Sequence, residues 1–141
     1  MRKYYLFIIK KEFANVYRNN ADILYKTLEN LYFIKRENFN YGVSLYAQLC
    51  QTFNVDILTN YFDHQPLLKQ QNNKYLFRNK NEVLIIKIRP SCCNVITNMN
   101  FPSIFKTFDY YCKEIFVCDF ENKDYFWLSK QYNKKNFYEY N

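Results

Sequence analysis

The chain offers one histidine, His64, as a candidate for acid–base or nucleophilic catalysis. It follows Asp63 in a stretch without clear periodicity. Catalysis by a cysteine or serine requires a base such as histidine within hydrogen-bonding distance, and no spacing in the sequence predicts that arrangement. A single histidine in a loop is more often a surface residue, so we do not predict an active site here.

Five cysteines form a second set of reactive side chains: Cys50, Cys92, Cys93, Cys112 and Cys118. Zinc sites usually contain pairs of cysteines separated by two to four residues, and the sequence has no such pair. In a strand, Cys92 and Cys93 would point to opposite faces of the sheet. We therefore predict free thiols packed as small hydrophobic side chains, with no metal or other cofactor. A reactive cysteine is the remaining basis for a small enzyme.

Asp119 and Asp124 flank a predicted hairpin turn, and two carboxylates near each other are what a hydrolase would use. Aspartate in a turn more often bonds its own neighbouring backbone, so we favour the turn-forming role. Phosphate-binding loops are excluded because their patterns need several glycines, and the chain has only Gly42.

Composition points towards binding rather than catalysis. The formal net charge is +7, which suits an acidic protein surface or a nucleic acid. The basic residues are scattered, and their densest groups are Lys10-Lys11, Arg78-Asn79-Lys80 and Lys134-Lys135. The 15 tyrosines and 14 phenylalanines are more rings than a chain of 141 residues can bury completely, and exposed tyrosines are common at interfaces.

No secretory signal and no apolar run of ~20 residues can be recognised in the sequence. We therefore expect a protein of the reducing cytosol, where cysteines stay unpaired.

The order of predicted elements indicates an α+β fold. We predict one domain over residues 1–130, with a mixed or largely antiparallel sheet of about five strands and about three packed helices. Residues 131–141 are expected to form a loosely held tail. Helices are predicted at 11–33, 41–53 and 101–113, and strands at 4–9, 74–78, 82–88, 114–120 and 125–128. A short strand at 92–97 is an open alternative, and 59–73 is expected to be irregular.

Two aromatic residues of the first predicted helix lie beside its core stripe. At ~100° per residue, Phe13 falls about 90° and Tyr17 about 50° from the centre of the stripe. A ring at that position can be half covered and half offered to a partner. Helical geometry alone leaves core and interface equally open. Arg18-Asn19-Asn20 is a weak point at which the helix could break.

Two motifs carry a resemblance to a known family. The first comprises Tyr4-Tyr5, Ile9-Lys10-Lys11-Glu12-Phe13-Ala14-Asn15 and Tyr17. The second, near the other end, comprises Asp119-Phe120, Lys123, Tyr125 and Trp127-Leu128. In this order they resemble the opening and the D-F-x-x-K-x-Y-x-W-L ending of the SirA family, sporulation inhibitors of replication from endospore-forming bacteria.

The resemblance implies a non-catalytic, monomeric inhibitor that binds domain I of the replication initiator DnaA and restrains initiation. In that family the aromatic pair matching Phe13 and Tyr17 belongs to the DnaA-binding surface. The second helix contributes a Gln, which Gln48 matches, and a Tyr one turn away. This chain departs from the family at that Tyr position, where it has Gln51 or Cys50.

Basic residues around the first helix, namely Lys10, Lys11 and Arg18, would steer a partner of opposite charge. The alternative function is binding of single-stranded nucleic acid through the basic and tyrosine-rich surface, with Lys134-Lys135 contacting phosphates.

Overall fold

The first strand, β1 (Arg2–Ile9), is buried along most of its length in the computed structural model, which describes residues 1–132. Successive side chains of a strand point to opposite faces, and both faces of β1 are covered. One hydrophobic cluster contains Tyr4, Leu6 and Ile8, and another contains Tyr5, Phe7 and Ile9. An unbroken apolar run is typical of a strand buried on both sides.

The described residues form one sheet of eight strands in which every pair is antiparallel. After β1 the strands are β2 (Cys50–Gln51), β3 (Lys69–Gln71), β4 (Lys74–Arg78), β5 (Val83–Lys87), β6 (Cys93–Thr97), β7 (Ile115–Asp119) and β8 (Asp124–Trp127). Their order across the sheet is β3-β4-β5-β6-β1-β7-β8. The short β2 pairs with the end of β1, where Cys50 lies opposite Ile9.

Helices cover both faces of the sheet. They are α1 (Lys11–Tyr17), α2 (Ala21–Tyr32), a 3-10 helix (Arg36–Asn38), α3 (Phe39–Leu49), α4 (Val55–Asp63) and α5 (Ile104–Tyr111). Helices α1 to α3 contribute to the cluster around Phe7, and α4 and α5 contribute to the cluster around Leu6. Residues 128–132 are also helical.

The expected architecture of about five strands and about three helices is wrong, because the structure has eight strands and six helices within residues 1–132, besides the helical residues 128–132. The two shortest strands explain part of the difference. β3 is polar and exposed throughout and β2 has only two residues, so neither shows the apolar alternation that predicts a strand. The open segment at 92–97 forms β6.

Two capping regions explain two of the additional helices. The predicted helix 11–33 breaks because the carbonyl of Tyr17 accepts from the Asn20 amide at 3.1 Å and from the Trp127 indole at 3.2 Å. Asn54 caps α4, since its side chain accepts from the Ile57 amide at 3.1 Å. Asparagine is a favoured N-cap residue.

The predicted domain boundary at residue 130 lies inside a short helical segment. Residues 131 and 132 continue the helix that begins at 128. The remainder of the expected tail, including Lys134-Lys135, lies outside the described residues. Within residues 1–132, every helix is too short or too polar to cross a membrane.

Candidate protein-binding site

The start of α1 meets the end of α3 at the C-terminal end of β1. The Lys10 amide donates to the Leu49 carbonyl at 2.9 Å. Two residues before Lys10 and two residues after Leu49, Ile8 lies opposite Gln51 in the β1–β2 pair. The two-residue strand β2 therefore fixes the position of α3 relative to α1.

Phe13 lies one turn into α1, where its amide donates to the Lys10 carbonyl at 2.9 Å. Its ring is half-buried and packs on the edge of the cluster that contains the fully buried Ala14. Ala14 thus holds the helix against the sheet, while one side of the Phe13 ring remains accessible to solvent.

Tyr17 is half-buried at the other end of α1 and packs against the same cluster. Its carbonyl accepts from the indole N–H of the buried Trp127 at 3.2 Å. This bond ties the last turn of α1 to strand β8. Arg18, the next residue, is exposed.

The end of α3 presents polar side chains to solvent. Gln48 and Gln51 are both exposed, whereas Cys50 between them is only 3% exposed. Burial raises the pKa of the Cys50 thiol to about 12. Of the two residues that could occupy the position of the family's tyrosine, only Gln51 is therefore available to a partner.

The six residues predicted for the site fall at the two ends of α1 and around the end of α3. Lys10, Phe13, Gln48 and Gln51 belong to segments that meet at the α1–α3 junction, and the half-buried Lys10 is its centre. Tyr17 and Arg18 lie at the far end of α1, a helix that spans roughly 10 Å.

Sequence reasoning missed exposed apolar residues on these helices. Val16 in α1 is 59% exposed, and Tyr41 and Val43 in α3 are also exposed. Val16 precedes Tyr17 on a helix of only two turns, of which Ala14 alone is fully buried. At ~100° per residue Val16 lies ~200° from Ala14, so the phase of the predicted helix already contained the signal for this outward apolar position.

An apolar cavity of about 440 Å³ lies beside the site, between α2, α3 and the sheet. Phe39 and Val43 line it and are exposed, so the cavity opens to solvent next to α3. Gly42 lies in its wall, where a Cβ would lie 2.8 Å from Cδ1 of Ile34, so that half-buried side chain would have to move.

The other residues considered for catalysis or metal binding lie on elements other than α1 and α3. His64 is exposed just beyond the end of α4, where its Nδ1 is 2.6 Å from the Asn60 carbonyl. Burial raises the pKa of the thiol of Cys93 to about 12 and that of Cys118 well above its usual value. In residues 1–132 we find no group of three His, Cys, Asp or Glu side chains that could hold a metal ion.

Asp119 and Asp124 form the turn and are bridged by Arg2. Asp119 accepts from the Asn122 amide at 3.2 Å and from the Asn122 side chain at 2.7 Å. The Arg2 guanidinium donates to Asp119 at 3.0 Å and to Asp124 at 2.8 Å. The turn-forming interpretation is confirmed.

Comparison of the sequence with protein-family models and with curated proteins finds no match. The resemblance to SirA therefore remains a prediction from the two motifs.

Proposed function

We propose that the chain is a non-catalytic, SirA-like inhibitor of replication initiation that docks on domain I of DnaA through α1 and the end of α3. The observation that carries this proposal is the setting of Phe13 and Tyr17. Both rings are half-buried on a helix that is held to α3 at one end and to β8 at the other.

A helix held at both ends favours binding because little conformational freedom is lost when a partner docks. Half-exposed aromatic rings are common centres of binding energy. The exposed Val16 extends the apolar part of the surface, and Gln48 and Gln51 supply hydrogen-bonding groups at its border. The charges of Lys10 and its neighbours would speed the approach of an acidic partner.

Calorimetry with the purified full chain and DnaA domain I from the same organism tests the proposal. Phe13→Ala or Tyr17→Ala should weaken binding by about 1–3 kcal/mol, which is about 5- to 150-fold in Kd. Both rings also pack on the core, so circular dichroism and thermal unfolding must show that each variant is folded.

A surface substitution separates binding from folding. Val16→Glu places a charge at a position that is 59% exposed, and we expect it to weaken DnaA binding with little change in stability. The matched control is Tyr110→Ala, which removes a ring that is 84% exposed on α5, a helix of the other face. Absence of binding by the folded wild-type chain, or an equal loss with Tyr110→Ala, would contradict the proposal.

A further inference from the structure

Among residues 1–132, no helix covers part of the sheet face that carries α1 to α3. The hydrophobic cluster on that face takes its strand residues from β1, β2, β7 and β8 and none from β3, β4 or β5. Leu76, Ile85 and Ile96 neighbour residues of the opposite cluster along their strands. They therefore point to the α1–α3 face, and all three are half-buried.

The strand register places these three residues in a single row. Leu76 lies opposite Ile85, and Ile85 lies opposite Ile96. Lys69 lies opposite Leu76 at one end, and Lys3 lies opposite Ile96 at the other. We call Leu76, Ile85 and Ile96 the aliphatic row; with its terminal lysines it crosses five strands, roughly 19 Å.

Basic side chains also border the two long sides of the aliphatic row. On one side Lys74 lies directly opposite Lys87, and Arg89 lines the apolar cavity between α2, α3 and this face of the sheet. On the other side Arg78 lies opposite Val83. The basic face thus contains six cations: Lys3, Lys69, Lys74, Arg78, Lys87 and Arg89. No position of strands β3 to β6 on this face is acidic.

This concentration of like charge is unfavourable to the isolated protein. Like charges directly opposite each other destabilise an antiparallel pair. Burial, followed by the charges of Lys74, Lys3 and Arg89, lowers the pKa of Lys87. Within residues 1–132 the ion pairs involve Arg2 and Lys113, neither of which belongs to the basic face. An anionic partner would relieve the repulsion.

We propose that the basic face is a second docking surface, which binds an acidic amphipathic helix of a partner protein. The apolar side of that helix would lie along the aliphatic row, and its carboxylates would pair with the surrounding cations. Successive turns of a helix are ~5.4 Å apart, close to the ~4.8 Å between strands. One apolar side chain per turn therefore meets one residue of the row per strand.

Other anionic partners fit this face less well. Bases of single-stranded nucleic acid stack on aromatic rings, and the row is aliphatic. A lipid surface takes up protruding apolar side chains, whereas the row is half-buried among cations that are mostly exposed. An apolar centre with a charged border is the usual anatomy of a protein interface. The basic face uses none of the residues proposed to contact DnaA.

The test uses the full chain and a fluorescent synthetic helix with leucines along one side and glutamates on both flanks. Fluorescence anisotropy should show binding that weakens with salt, and NMR shifts should map to Leu76, Ile85 and Ile96. Lys74→Glu with Lys87→Glu should weaken binding by about tenfold or more. The control, Lys26→Glu with Lys106→Glu, makes the same change in net charge on exposed helical positions and should have a small effect.

An uncharged variant tests the apolar contribution. Ile85→Thr keeps a β-branched residue in the strand but removes apolar contact area, and it should weaken binding without altering the salt dependence. A scrambled peptide of the same composition should bind poorly.

Three results would overturn the proposal. One is equal binding of the scrambled peptide, or no binding of either peptide by the folded chain. Another is an equal loss in the control variant. The last is binding to an oligothymidine strand or to phosphatidylserine vesicles that is tighter than binding to the peptide and that is abolished by Lys74→Glu with Lys87→Glu. None of these results depends on DnaA binding, which is measured on other residues.

Discussion

Asp119 illustrates how a buried carboxylate is kept charged in this protein. Burial alone opposes its ionisation, but hydrogen bonds from Asn122 and the Arg2 guanidinium outweigh that effect and lower the pKa of Asp119 below 3.8. The unfolded chain lacks these partners and keeps the ordinary value. Asp119 therefore stabilises the folded state above that ordinary pKa, and the contribution is lost as pH falls through the lower, folded-state pKa.

We expect Asp119→Asn to lower the free energy of unfolding at neutral pH by about 1–3 kcal/mol, since it removes the buried carboxylate that accepts hydrogen bonds from Arg2 and Asn122. The difference between wild type and variant should shrink as the pH falls below the ordinary value of 3.8. Urea unfolding over a series of pH values measures it. A difference that stays constant into acid would show that Asp119 does not act through its charge.

At the residue scale, the sequence predicted the setting of two rings and the packing of the Cys50 thiol as a small hydrophobic side chain, but not the strand that contains Cys50. Helical phase alone put Phe13 and Tyr17 at the flank of the core stripe, and both are half-buried. That inference is local and needs only 3.6 residues per turn. The burial of Cys50 depends on its pairing with Ile9, forty-one positions away by residue number. No local pattern could indicate that pairing.

At the scale of elements, helix α4 depends on a cap that the sequence already contained. Asn54 is followed three residues later by Ile57, whose amide donates to the Asn54 side chain at 3.1 Å. Asparagine suits the start of a helix better than most residues. The strands β2 and β3 offered no comparable signal, because only their partners in the sheet identify them as strands.

Asn54→Ala should lower the free energy of unfolding by about 0.5–2 kcal/mol, because the first turn of α4 loses its cap. Asn54→Asp should retain most of the stability, since a carboxylate accepts the same bond and favours a helix N-terminus. Chemical denaturation of the three proteins measures this. Equal stabilities of Asn54→Ala and wild type would mean that solvent satisfies the Ile57 amide as well as Asn54 does.

At the scale of the whole molecule, the two proposed surfaces differ in how visible they are in the sequence. The α1 surface combines neighbours such as Lys10, Phe13 and Tyr17, so a motif can reveal it. The basic face brings Lys3, Lys69 and Lys87 together through the sheet register. In the sequence those residues are merely scattered charges. A charged surface is usually recognised in a sequence from a run of basic residues. Here the sheet brings separate basic residues together, so no run is needed to form the surface.

The net charge of +7 and its concentration on one face lead to a prediction about salt. Sodium chloride screens repulsion between exposed charges, so we expect the Tm to rise between low and moderate salt. Lys74→Glu with Lys87→Glu should reduce that rise more than Lys26→Glu with Lys106→Glu does. Differential scanning fluorimetry measures it, and equal salt dependence in both variants would show that the repulsion is spread over the whole surface.

The hydrogen bond between the Trp127 indole and the Tyr17 carbonyl, at 3.2 Å, has a consequence for the order in which the protein is made. The ribosome synthesises α1 early, whereas β8, which supplies the indole, follows more than a hundred residues later in the chain. A nascent or truncated chain that ends before β8 lacks the donor that holds the last turn of α1. The proposed inhibitory surface would therefore be completed only when synthesis of the sheet is nearly finished.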